Sequence, residues 1–243
     1  MLAASLLFAW LTSAPALAAR RPAHVPAAPP RILNIVHQKL KPGTSQSYEA
    51  LEMAIVAAYE QAHVPLFWIM LQSRADATDI VYLNVAESLE EWNELPARYR
   101  KVVAAHPELE KMSARLATFI ERTTSTLATR RDEIPFSRTG IDLQTMRAMR
   151  LTVFQVSPGH EGRFVKAARG ASDRAAPWLL YEANEAPTFM LVTPLRTAKH
   201  ANKPSTLPHR LQGWLKEEGT PSADGVYAVR LHMSRPPKGW MVR

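Results

Sequence analysis

The sequence predicts an α+β protein of two βαββαβ units, each with an antiparallel sheet. Three observations lead there. The stretches "FWIMLQSRADATDIVYLNV" (Phe67 to Val85) and "WLLYEANEAPTFMLVTPL" (Trp178 to Leu195) both read as strand, tight turn, strand. Each hairpin follows a segment with helical periodicity. Each of those segments follows a strand that ends in proline and glycine, Pro42-Gly43 and Pro158-Gly159.

In the first half, "RILNIVHQKL" (Arg31 to Leu40) is rich in Ile and Val with polar residues between, and predicts a strand. "SQSYEALEMAIVAAYEQA" places Tyr48, Leu51, Ile55 and Tyr59 on one helical face, with Thr44 or Ser45 as its cap. The hairpin pairs Phe67–Gln72 with Ile80–Val85 across "SRADATD". "SLEEWNEL" and "PELEKMSARLATFIERT" predict two further helices. In the second of these Pro107 opens the helix and Leu109, Met112, Leu116 and Phe119 share a face. "STLATRRDEI" predicts a fourth strand.

The second half repeats the order. "MRLTVFQVSPG" predicts a strand, "HEGRFVKAARGASDRA" a shorter helix, Trp178 to Thr193 a hairpin, "LPHRLQGWLKEE" a second helix and "DGVYAVRLHMS" a last strand. Such self-similarity marks a repeated unit. The element order, the proline–glycine ending of the first strand and the Trp/Tyr-rich hairpin resemble the ferredoxin-like units of the dimeric α/β-barrel superfamily. That group includes small monooxygenases and NIPSNAP-like and EthD-like proteins. The resemblance covers Arg31 to about Met233. It implies two four-stranded sheets closing face to face into an α/β barrel with helices outside, here with both units in one chain. A lone antiparallel sheet with helices on one face leaves the other face wet, and a second copy can cover it.

The domain boundaries expected are residues 1–18 as a signal peptide, 19–30 as an Ala/Pro-rich tether, 31–134 as the first ferredoxin-like unit, 135–146 as a linker and 147–243 as the second unit. The apolar core Leu6 to Leu11 followed by Ala16-Leu17-Ala18 carries the signal-peptide reading, although no Lys or Arg precedes that core. The run is too short to span a bilayer and is broken by Ser13 and Pro15, so no stable membrane span is expected after cleavage. Export, to the periplasm or the medium, is the expected localisation. The chain has no cysteine, which excludes thiol nucleophiles, thiolate zinc sites and cysteine-ligated iron–sulfur clusters. The net charge of +8 is spread along the chain in short doublets with no aromatic interleaving, so no nucleic-acid partner is expected.

Strand alternation sorts residues onto faces. Leu33, Ile35 and His37 share one face of the first strand, and Asn34, Val36 and Gln38 the other. Met149, Leu151 and Val153 alternate in the same way with Arg150, Thr152 and Phe154. The apolar sets are expected against helices and the mixed sets between the sheets. The expected ligand lining is therefore Asn34, Gln38, Trp68, Tyr82, Arg150, Tyr181, Arg230 and His232, a mixture of aromatic and polar groups suited to a small aromatic or anionic molecule. Trp68, Tyr82 and Tyr181 equally suit core filling with their polar tips satisfied. Two arginines and a histidine on one face suit a carboxylate or phenolate. The eight histidines form no His-x-His, His-x-x-x-His or His-Glu-x-x-His pattern, so no motif indicates a metal or other cofactor.

Three functions follow as alternatives. One is an exported protein that binds a small molecule between its sheets. Another, implied by the resemblance, is a monooxygenase-like enzyme, cofactor-independent or haem-dependent, with His37, His63 or His232 as trial iron ligands. The third is a non-catalytic scaffold. Neither the substrate nor the oligomeric state is legible.

Overall fold

The computed structural model describes residues 29–64, 66–134, 141–142, 146–171, 178–185, 187–196, 211, 222–232 and 240–241. The expected signal peptide, the tether up to residue 28, most of the linker, and the helix over Leu207 to Glu218 apart from Leu211 lie outside the described residues.

The chain runs β1 (Ile32–Leu40), α1 (Ser45–Gln61), β2 (Trp68–Ser73), β3 (Asp79–Ala86), α2 (Leu89–Ala105), α3 (Pro107–Ala117), β4 (Ile120–Arg130) and β5 (Ile141–Asp142). It continues with β6 (Ala148–Gln155), α4 (Glu161–Ala171), β7 (Leu179–Ala183), β8 (Thr188–Leu195), β9 (Ala223–His232) and β10 (Trp240–Met241). Eight strands close a barrel in the order β1-β3-β2-β9-β6-β8-β7-β4, while β5 and β10 form a small parallel pair. The barrel pairings are all antiparallel. Where two sheets were expected face to face, the described strands form one closed barrel, continuous through β2–β9 and β4–β7.

Local chemistry explains the elements. Ser88 caps α2 by accepting from the Glu91 backbone N–H at 3.1 Å, with Glu90 and Glu91 in the first turn where the helix dipole favours acids. α2 passes through Pro96 to Ala105, longer than the expected Ser88–Leu95 segment. α3 ends at Ala117, and Ile120 to Thr123 are strand, where a helix was expected. Isoleucine and threonine are β-branched and suit a strand better. Gly43 and Gly159 both have positive φ, 77° and 87°, so the two proline–glycine turns share a left-handed step.

On β1, β2, β3 and β6 the two faces are exchanged relative to expectation. The apolar set fills the barrel: Leu33, Ile69, Leu71, Val81, Leu83, Met149, Leu151, Met190 and Val192 are all buried in one cluster. The mixed set turns outward to the helices. Tyr48 and Glu52 of α1 reach Gln38 and Tyr82. Phe164 of α4 packs between Phe154 and Phe189, with ring centroids 5.1 and 4.6 Å apart.

Candidate functional site

The most chemically distinctive cluster lies between α1 and the outer face of β1–β3–β2. Register places Asn34, Asn84 and Trp68 in one row across these strands, Val36, Tyr82 and Met70 in the next, and Gln38, Ile80 and Gln72 in the third. Asn34, Gln38, Trp68 and Tyr82 from the expected lining therefore do share a face. From above, α1 presents Tyr48, Glu52, Ile55 and Tyr59 at helical spacing, all buried.

Glu52 is 4% exposed. Its Oε1 accepts from the Tyr82 hydroxyl at 2.5 Å, and the Tyr48 hydroxyl oxygen stands 3.5 Å away. The Tyr48 hydroxyl also donates to Gln38 Oε1 at 2.7 Å and bonds the Tyr82 hydroxyl. Oε2 of Glu52 is buried and has no hydrogen-bond partner among the described residues. Burial raises the Glu52 pKa above the usual carboxylate value, against the opposing effect of the tyrosine hydrogen bonds. Burial, with the nearby carboxyl, also raises the Tyr48 and Tyr82 phenols, so both stay neutral. The Trp68 ring meets Tyr82 edge-on at 5.4 Å. Deeper along α1, Tyr59 bonds the Tyr99 hydroxyl of α2 at 2.8 Å and approaches Ser113 of α3 at 3.4 Å, which ties the three helices above the site. A protonated Glu52 presents an O–H at Oε2; once ionised, it presents a base.

Glu52 was absent from the sequence-based set. Its signal was a single carboxylate at position i+4 from Tyr48 on an otherwise apolar helical face.

Asn34 lies at one end of this shared face, while Arg150, Tyr181 and Arg230 do not join the cluster. Asn34 is 8% exposed and accepts from the Ser125 hydroxyl at 2.7 Å. Arg150 lies on the outer face of β6, its Nε 3.9 Å from Asp224, which also accepts from Thr152 at 2.8 Å. Tyr181 points into the barrel, fully buried, and donates to the Pro30 carbonyl at 3.0 Å. Arg230 sits at a bulge in the β2–β9 pairing and reaches Glu49 of α1, with Nε and Nη2 at 3.0 and 2.5 Å from Oε1. The expected joint placement of Arg150, Tyr181 and Arg230 on one inner face is thus corrected: helices and loops supply their partners. His232 pairs with Ile69 through the backbone.

Among the described residues no group of three His, Asp or Glu side chains could hold a metal ion. His37 faces the barrel interior, opposite the Tyr–Glu cluster, and bonds Asp79. It does not fit as an iron ligand for a haem seated against that cluster. Among the described residues no helix is long and apolar enough to cross a membrane.

No protein-family model matches the chain, and no curated protein matches it. Solved structures do. A candidate monooxygenase from Fusobacterium nucleatum subsp. nucleatum superposes with TM-score 0.59 at 10% identity, over 87% of this chain and 96% of its own. An anthrone oxidase-like protein gives 0.55 at 12% identity, over 90% and 99%. A candidate monooxygenase from Lactobacillus acidophilus NCFM gives 0.54 at 11%, over 88% and 100%. At such identities the likeness is one of fold alone.

Proposed function

We propose that this chain binds a small planar aromatic molecule beside Trp68, in the layer between α1 and the sheet, and performs monooxygenase-type chemistry on it. The observation that carries the reading is Glu52: a buried carboxyl with raised pKa, one oxygen bonded by the Tyr82 hydroxyl and the other without a partner among the described residues. Buried polar atoms are rarely left unmatched, and such exceptions concentrate at functional positions. A phenol or enolisable ketone supplies the missing partner. Its oxygen accepts from protonated Glu52, or its acidic proton passes to the ionised form. The aromatic wall of Trp68 and Tyr82 suits such a ring. The fold neighbours described as monooxygenases and as anthrone oxidase-like point the same way.

Anthrone is a suitable probe, because its oxidation is balanced without another reductant: anthrone and O2 give anthraquinone and water. The purified chain is expected to accelerate oxygen uptake and quinone appearance. Glu52→Gln is expected to lower the rate by at least tenfold, as loss of a general acid or base does. No acceleration by the wild-type chain, or full activity in Glu52→Gln, overturns the catalytic reading. A Soret band in protein from its native host would require a site other than this cluster.

The same proposal includes two ferredoxin-like units duplicated within one chain. In its support, β1–β4 occupy four consecutive places in the barrel as β4-β1-β3-β2, and β6–β9 occupy the other four as β9-β6-β8-β7. It also includes export with cleavage near Ala18, supported by the apolar segment and Ala16-Leu17-Ala18. N-terminal sequencing tests the cleavage, and an intact Met1 on cytoplasmic protein defeats it.

A further inference from the structure

A second group of polar side chains gathers at one mouth of the barrel, where the apolar interior gives way to solvent. A cavity of about 180 Å³ is lined there by His37, Lys39, Asp79, Arg122 and Thr124. The strand register explains the gathering. Lys39 stands opposite Asp79 on β3 and opposite Arg122 on β4, and His37 stands opposite Thr124 one row deeper. All five lie on the inward alternation that Leu33 and Leu83 continue into the core.

Two cations directly across an antiparallel pair repel each other. Lys39 escapes by pairing with Asp76, in the turn between β2 and β3. Asp76 in turn accepts from the Thr78 backbone and hydroxyl at 2.9 and 2.7 Å, which fixes it. Asp79 is engaged by His37 Nε2. The Arg122 side chain has no hydrogen bond or ion pair among the described residues. The cavity thus has one unanswered guanidinium, a threonine hydroxyl beside it, and a histidine whose orientation is set by a carboxylate.

We infer that this mouth is a binding site for a small oxyanion, a carboxylate or a phosphate, with Arg122 as its principal ligand. The planar guanidinium fork matches two oxygens of such a group, and Thr124 Oγ1 adds a donor. His37 keeps its Nδ1 side available, because Nε2 is directed to Asp79. This site is distinct from the Tyr–Glu cluster, which lies on the opposite face of the same strands, and the inference stands without the proposed oxygenation.

The test is a titration of the whole chain with inorganic phosphate and, separately, succinate, at constant ionic strength set with chloride. The His37 imidazole resonances are followed by NMR. The expected result is a saturable shift of His37 with one probe or both, and the stronger probe identifies the class. Arg122→Met is expected to weaken that binding at least tenfold, and Arg122→Lys to weaken it less, since a point charge remains without the fork. Arg122 is exposed, so both variants should melt close to wild type, which a thermal scan confirms. Equal binding in Arg122→Met, or no saturable response to either anion beyond that to chloride, overturns the inference.

Discussion

At the scale of single residues, Glu52 carries the sharpest electrostatic signature. In the unfolded chain it ionises near its ordinary value of 4.5, while burial keeps it protonated to higher pH in the fold. Between those two values the folded state binds more protons than the unfolded one. Its contribution is therefore fully present below the unfolded pKa and is lost as pH rises through the folded pKa. Glu52→Gln cannot ionise and lacks this slope. The melting temperature of wild type relative to Glu52→Gln is expected to be highest below the ordinary carboxylate value and to fall as pH rises above it. Thermal scans of both proteins across that range measure it. A flat difference would mean that burial does not shift Glu52, and one that grows with pH would mean that the fold favours its ionised form. Arg230 shows the contrasting case. Glu49 answers its charge, and the pair is part-exposed, at 39% and 25%. Such a pair contributes about 1 kcal/mol or less.

At the scale of elements, the proline–glycine turns are the clearest sequence-to-structure link. Gly43 and Gly159 each hold a left-handed φ, and a Cβ added at either would meet nothing within 4 Å. Alanine there is penalised by the backbone alone, about 1–2 kcal/mol at each position. Gly43→Ala and Gly159→Ala should each lower the denaturation midpoint by that amount with an unchanged m-value. A neutral effect would show that the turn relaxes to negative φ. Strand order, hairpins and these turns were legible because they depend on local pattern. The direction of each face was not. Alternation separates Leu33 and Ile35 from Asn34 and Gln38, yet says nothing about which set meets a helix. The decision lies in where polar partners can come from. A closed barrel interior has only other strands to offer, so Leu71, Leu83 and Met149 suit it. An outer face can receive Tyr48, Glu52 and Glu49 from α1, and so it tolerates Gln38, Tyr82 and Arg230. The candidate site was half legible for the same reason. Its strand residues stood out by type, but Glu52 lies far from them in sequence and becomes their neighbour only when α1 packs down. The end of α3 was misplaced because Phe119 continues the apolar spacing of Leu109, Met112 and Leu116, while the chain has already turned into β4.

At the scale of the whole molecule, the barrel depends on two seams. One joins β2 to β9, where Leu71 meets Val229 and Met70 meets Leu231 around the bulge that frees Arg230. The other joins β4 to β7 over Ala128–Arg130 and Ala183–Tyr181. Arg131 reinforces that second seam by bonding Glu182 and Glu133, and Arg31 and Arg130 both reach Asp132. Cutting the chain in the linker removes both seams at once. Residues 31–134 alone would expose Leu33, Ile69, Leu71, Val81 and Leu83 on one sheet face, with β2 and β4 as unpaired edges. Each of those side chains loses about 1.5–3 kcal/mol of burial when its cover is removed, a total comparable with the whole stability of a small domain. The fragment can recover that burial only by pairing with a second copy, edge to edge at both seams, so that two first halves rebuild an eight-stranded barrel. Residues 31–134 are therefore expected to sediment as a dimer or larger species at micromolar concentration, and to melt at a temperature that rises with concentration. A monomeric fragment with a cooperative, concentration-independent transition would show that the first half stands without its partner, and that the barrel is an association of two finished domains.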